Sequence, residues 1–223
     1  MSFILNIDTA IQTSSVCIAE NGKPLRTKIN PSQKDSAAWL QTAIKEIMQE
    51  ENLQLHQLDA IAVSEGPGSY TGLRVGMASA KGLCFVLHKP LIAVNTLLMM
   101  TAAAQPQTAD LFCPMIDAKR MEVFTAVFDQ ELNTVVRPTN LILTENSFFD
   151  LLKKNTILFF GNGNIKFEPI CKHENAIFKM IEINASAMTE LSFQKFQSKQ
   201  FADLAYSQPF YGRDFHSIVK QSL

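Results

Sequence analysis

At 223 residues, with 47% hydrophobic and 18% charged side chains and a formal net charge of −1, the sequence has the composition of a folded globular protein. A chain of this size hides about 70% of its unfolded surface on folding, enough for one large domain or two packed lobes without disulfide staples. With 20 Lys and Arg against 21 Asp and Glu, no basic run supplies a strong phosphate-gripping stripe, so direct, tight binding of a nucleic acid by this chain alone is not expected.

Met1–Asn6 lacks a basic flank, and Asp8 interrupts its apolar run, so it reads as a first strand and not as an export signal. No stretch approaches the ~20 apolar residues that cross a bilayer; a cytoplasmic chain without membrane contact is expected. Cys17, Cys84, Cys113 and Cys171 show no paired spacing and read as buried free thiols of a reducing compartment.

Phe3 to Ile7, Ser14 to Ala19 and Leu25 to Ile29 predict three strands in a meander, with Asn21-Gly22 as the hairpin turn between the second and third. Ser32, with Asp35 three residues on, predicts a helix start, and Leu40, Ala43, Ile44, Ile47 and Met48 recur at helical spacing as far as about Glu50. Ala60 to Val63 reads as a buried strand, followed by the glycine-rich stretch Gly66 to Gly72 and a helix over Leu73 to Leu87. Leu91 to Val94 is a further strand, and Asn95 or Thr96 caps a third helix reaching about Ala104.

Gln105-Pro106-Gln107-Thr108 is the predicted boundary between two units, residues 1–104 and 109–223, with some chain crossing between them. The second repeats the first in outline. Strands are expected over Leu111 to Ile116, Glu122 to Phe128 and Val135 to Leu143, a helix over Ser147 to Lys154, and a strand over Thr156 to Phe160 that ends in Gly161-Asn162-Gly163. A last helix is expected over Met188 to Gln197. Each unit opens with a strand that ends in an aspartate, Asp8 and Asp117.

A strand, a glycine turn and a helix N-terminus together can face an anion with backbone N–H groups. The sequence fails the specific versions. A P-loop needs Lys and Ser or Thr after its last glycine, where Leu73 and Arg74 stand. A dinucleotide turn needs glycine where Thr71 stands, and a nucleophile elbow needs its serine one place beyond Ser69. Two readings stay open: a tight turn that needs glycine for backbone reasons, and a nucleotide-proximal loop using Gly66, Gly68, Ser69 and Thr71 with Asp8 and Asp117. Thr9-Ala10 and Ala118-Lys119 stand where a tight ATP cradle would want glycine. His56, His88, His173 and His216 give no metal-ligand spacing, and no nucleophile–base pair is readable, so neither a catalytic residue nor a metal ligand is expected.

Gly72, Gly76 and Ala80 form a small-residue stripe, although glycine inside a helix costs about 1 kcal/mol relative to alanine. The stripe serves either packing against the chain's own sheet or a partner helix.

The segments Ile4 to Thr9, Gly66-Pro67-Gly68-Ser69-Tyr70-Thr71-Gly72-Leu73-Arg74-Val75-Gly76, and Asp117 to Phe124 are similar in order and spacing to motifs of the TsaB (YeaZ) family. Tyr70 replaces the commoner Phe, and Gly212 stands where the family often has Leu. The resemblance implies an α/β fold of the actin/Hsp70/sugar-kinase type, two ribonuclease-H-like lobes with the second reduced. It implies a non-catalytic subunit of the machinery that installs threonylcarbamoyl on tRNA adenosine, pairing with a TsaD-type catalytic subunit and helped by a TsaE-type ATPase. It further implies a partner interface on Leu40, Ile44, Ile47, Gly72, Gly76 and Ala80, homodimers when the partner is absent, and no cofactor of its own beyond ATP or ADP at the complex interface. The alternative is a stand-alone ATP-dependent phosphotransferase of the same fold, using Asp8 and Asp117 around Mg²⁺.

Overall fold

The computed structural model describes residues 1–30 and 35–212. The first sheet comprises β1 (Phe3–Asp8), β2 (Ser15–Glu20), β3 (Lys23–Ile29), β4 (Ala60–Gly66) and β5 (Leu91–Asn95), in the order β3-β2-β1-β4-β5. The first three form an antiparallel meander, and β4 and β5 add in parallel. Asn21 and Gly22 both take positive φ, which matches the right-handed twist of the strands they join.

The second sheet repeats this plan with β6 (Leu111–Asp117), β7 (Glu122–Phe128), β8 (Thr134–Ile142), β9 (Ile157–Phe160) and β10 (Ala176–Phe178), in the order β10-β9-β6-β7-β8. Again three strands run antiparallel and two are added in parallel. Counted from the meander edge, each sheet runs third, second, first, fourth, fifth. This is the duplicated α/β lobe that the two strand-end aspartates suggested.

Helices α1 (Ser36–Glu50) and α2 (Tyr70–Leu87) cover one face of the first sheet, burying Leu40, Ile44, Ile47, Met77 and Ala80 against Leu5, Ile7, Val16 and Ile61. Helix α3 (Thr96–Ala104) lies between the sheets, with Met99 on the first and Leu97 and Met100 on Phe112, Ile116 and Phe160 of the second. The two short helices α4 (Phe149–Leu152) and α5 (Asn164–Phe167) close the outer face of the second sheet around Phe159 and Phe167. Helix α6 (Thr189–Gln197) returns to the first sheet, where Ser192 Oγ donates to Asn6 Oδ1 at 2.7 Å and Lys195 Nζ to the Ala93 carbonyl at 2.7 Å. Chain from the second expected unit therefore completes the first.

Several boundaries differ from the sequence expectation. Helix α2 begins at Tyr70, a turn early, because Ser69 Oγ accepts the Gly72 N–H at 3.2 Å and caps it there. Asn95 caps α3 as expected, accepting from Leu97 N and Leu98 N. The helix expected over Ser147 to Lys154 contracts to one turn, and α5 and β10 were not foreseen. The Ser32 cap lies outside the described residues; α1 follows Asp35, whose side chain makes no cap bond.

Beyond α6 the chain forms a strap over residues 198–212. Ala202 bridges Leu91 at the edge of the first sheet, Lys81 Nζ donates to the Ala205 and Ser207 carbonyls at 3.1 Å each, and Phe210 N donates to Glu65 O at 2.7 Å.

Candidate functional site: an interlobe cleft and the outer face of α2

The ends of β1 and β4 face the end of β6 across a cleft of about 880 Å³. One wall is the loop Thr9 to Gln12 with Gly68, Ser69, Thr71 and Gly72; the other is Ile116, Asp117, Lys119 and Asn162. Of the six residues expected near a nucleotide, Gly68, Ser69, Thr71 and Asp117 line this cleft.

Asp8 and Gly66 do not, and the expectation for them is corrected. Asp8 is fully buried; its Oδ1 accepts from Ser64 Oγ at 2.6 Å and from Ala10 N at 3.0 Å, while Oδ2 meets no donor. Burial pushes this carboxyl up to about 6, against the weaker opposing effect of its two hydrogen bonds. Asp8 is thus an anchor for the loop that follows it. Gly66, at φ +120°, donates its N–H to Thr96 Oγ1, and a Cβ there would run into the Phe210 carbonyl of the strap.

The other cleft glycines are also spoken for. A Cβ at Gly68 would strike the Ala10 carbonyl, and one at Gly72 the Thr9 carbonyl. Ser69 N donates to Ala10 O at 2.7 Å, and Thr9 Oγ1 to Gly72 O at 2.7 Å. Absent side chains at these positions let the Thr9–Ala10 backbone lie directly on the start of α2.

Asp117 is half-exposed and belongs to a polar cluster that sequence reasoning missed. Lys166 of α5 pairs with its Oδ1, Lys119 N donates to the same oxygen at 2.6 Å, and Asp117 N donates to Asn162 Oδ1 at 2.8 Å. Partial burial alone would raise this carboxyl, but Lys166 and the Lys119 N–H outweigh it and hold it below the usual carboxylate range. The signal was weak in sequence because Lys166 sits in a single-turn helix 49 residues away.

The interface expectation needs a larger correction. Leu40, Ile44, Ile47 and Ala80 are buried in the core of the first sheet, and Gly72 and Gly76 press on Thr9. All six face inward, so none is available to a partner. The outward side of α2 instead shows Arg74, Ala78, Gly82, Phe85 and Val86, the last two 71% and 72% exposed. Gly82 has open space where a Cβ would be. Gln41 Nε2 of α1 donates to Ser79 Oγ at 3.1 Å, an exposed bond that ties the two helices side by side. The signal existed: α2 is apolar around most of its circumference, and a helix of that kind in a two-layer position has a second face to cover.

The family model described as TsaD, tRNA N6-adenosine threonylcarbamoyltransferase, matches residues 29–211. The chain is 32% identical over 184 residues to the tRNA threonylcarbamoyladenosine biosynthesis protein TsaB of Haemophilus influenzae, covering 82% of this chain and 69% of that protein. It is 30% identical over 165 residues to the Bacillus subtilis protein of the same name, covering 71% and 70%. Among solved structures, YeaZ from Pseudomonas aeruginosa superposes with a TM-score of 0.81 at 22% identity, over 95% of this chain and all of that one, which shows the shared fold.

Proposed function

The chain belongs to the TsaB (YeaZ) family, and from that premise we propose that it is a non-catalytic scaffold subunit in the synthesis of threonylcarbamoyladenosine on tRNA. In this role it pairs with a TsaD-type threonylcarbamoyltransferase, with a TsaE-type ATPase as the third component, and meets tRNA only within the assembly. The outer face of α2 is the proposed docking surface, and in the partner's absence a second copy of the chain takes it.

The observation that carries this reading is the filled cradle. In a fold of this type the turn after the first strand and the glycine loop would have to open toward a phosphate chain. Here the Thr9–Ala10 backbone fills the space left by Gly68 and Gly72, and the Asp8 carboxyl is sealed beneath it. A stand-alone phosphotransferase would need that carboxylate at the substrate. ATP or ADP shared with the partner is assigned by this reading to the outer cleft, between Ser69 and Thr71 on one side and Lys119 on the other.

Two measurements test it together. Co-purification with the cognate TsaD-type subunit is expected for the wild type and lost for Phe85→Asp, while the purified chain alone turns over no ATP. Steady ATP hydrolysis by the lone chain, abolished by Asp117→Asn, would overturn the scaffold role in favour of the phosphotransferase.

A further inference from the structure

Arg74 is an exposed cation held by two aromatic side chains. Its Nε–H donates to Tyr211 Oη at 3.1 Å, and its guanidinium carbon stands 4.1 Å from the centroid of the Tyr70 ring. The Tyr70 and Tyr211 rings themselves lie 4.9 Å apart at 37°. Tyr211 is held by the strap, whose course is fixed by the Lys81 and Glu65 contacts. Among the described residues no carboxylate pairs with Arg74. A stacked guanidinium with Nε occupied presents its two Nη groups as a fork, and the rotamer freedom that a flexible arginine would lose on binding is already gone.

Position gives the fork its partner. Arg74, Ala78, Gly82 and Val86 stand at i, i+4, i+8 and i+12, all exposed, with Phe85 beside the last. Small residues occupy the middle of this stripe, a cation one end and a large apolar pair the other. The ends are about 18 Å apart along the helix.

We propose that Arg74 receives a carboxylate side chain from a partner helix laid along this stripe, whose apolar residue about three turns away seats on Phe85 and Val86. The proposal rests on the docking surface assigned above. A carboxylate is favoured over an RNA phosphate because phosphate tracks are built from several cations. Here the neighbours along the stripe are apolar, and Lys81, the nearest lysine on α2, is committed to the strap carbonyls. The Tyr70 ring and the Tyr211 hydroxyl act as positioning groups for the guanidinium.

The test measures affinity of the full chain for the cognate TsaD-type subunit, with thermal melting of each variant as a folding control. Arg74→Ala is expected to weaken binding about tenfold or more, as a desolvated arginine anchor does. Arg74→Lys should fail to restore it, since an ammonium lacks the fork, and Tyr211→Phe should weaken it several-fold by freeing Nε. Arg74→Glu should abolish binding and be rescued by an acidic-to-arginine change on the partner. If Arg74→Ala and Arg74→Glu bind within twofold of wild type while Phe85→Asp does not bind, the docking surface stands and the fork is wrong. If Phe85→Asp also binds normally, the surface itself falls and the fork with it. Intact pairing with weakened tRNA binding by the Arg74→Glu complex would assign the fork to phosphate and overturn the proposal.

Discussion

Asp8 shows how one buried group makes stability depend on pH. Its carboxyl titrates near 6 in the folded chain against an ordinary value of 3.8, so the folded state holds the proton more tightly than the unfolded one. The stabilisation this gives is complete below pH 3.8 and is lost as pH rises through 6. A difference of about two units corresponds to about 3 kcal/mol. Asp8→Asn keeps an oxygen for Ser64 Oγ and Ala10 N and carries no charge. The stability of Asp8→Asn relative to wild type should therefore rise by a few kcal/mol between pH 4 and pH 8, measured by urea unfolding. A difference that does not change with pH would contradict the assignment. The glycines of α2 give a paired test. Gly72→Ala forces a methyl into the Thr9 carbonyl and should cost about 1–3 kcal/mol, whereas Gly82→Ala meets open space on a helix surface and should gain up to about 1 kcal/mol. Equal effects at the two sites would contradict the inward–outward division of the helix.

At the scale of elements, that division is where sequence and structure part. Local signals identified α1 and the first meander, because Leu40, Ile44 and Ile47 at helical spacing, or short strand-like runs either side of Asn21-Gly22, need only local chain to be read. The direction of the Gly72, Gly76 and Ala80 stripe was not readable. A small-residue stripe looks the same whether it accepts a partner helix or the chain's own Thr9 loop, and only the tertiary placement of β1 decides. The cleft was half legible: Gly68, Ser69, Thr71 and Asp117 were found, while Lys166 was hidden in α5, whose four residues are too few for a periodic signal. Phe85 belongs to this scale too. Being 71% exposed, it should tolerate Phe85→Asp with a stability change within about 0.5 kcal/mol while losing the partner, a combination that a core residue cannot show.

Over the whole molecule, the two lobes share one topology and differ in what covers them. The first sheet is flanked by the long helices α1 and α2, by α3, and by α6 returning from the second half of the chain; among the described residues the outer face of the second has only α4 and α5, of four residues each. The larger lobe thus keeps a helix face to spare, and the strap ties the end of the described chain to that same helix at Lys81 and Arg74. Filling of the glycine turn by the Thr9–Ala10 backbone and exposure of α2 on the outside are two results of one arrangement, with the Thr9 loop beneath the helix and its apolar residues above. The most direct test is reconstituted formation of threonylcarbamoyladenosine on tRNA by the cognate TsaD-type subunit with its ATPase, with this chain left out, added as wild type, or added as Phe85→Asp. The account predicts that activity requires the wild-type chain, saturates at one chain per TsaD-type subunit, and is absent with Phe85→Asp. Full activity with Phe85→Asp, or without the chain, would contradict it.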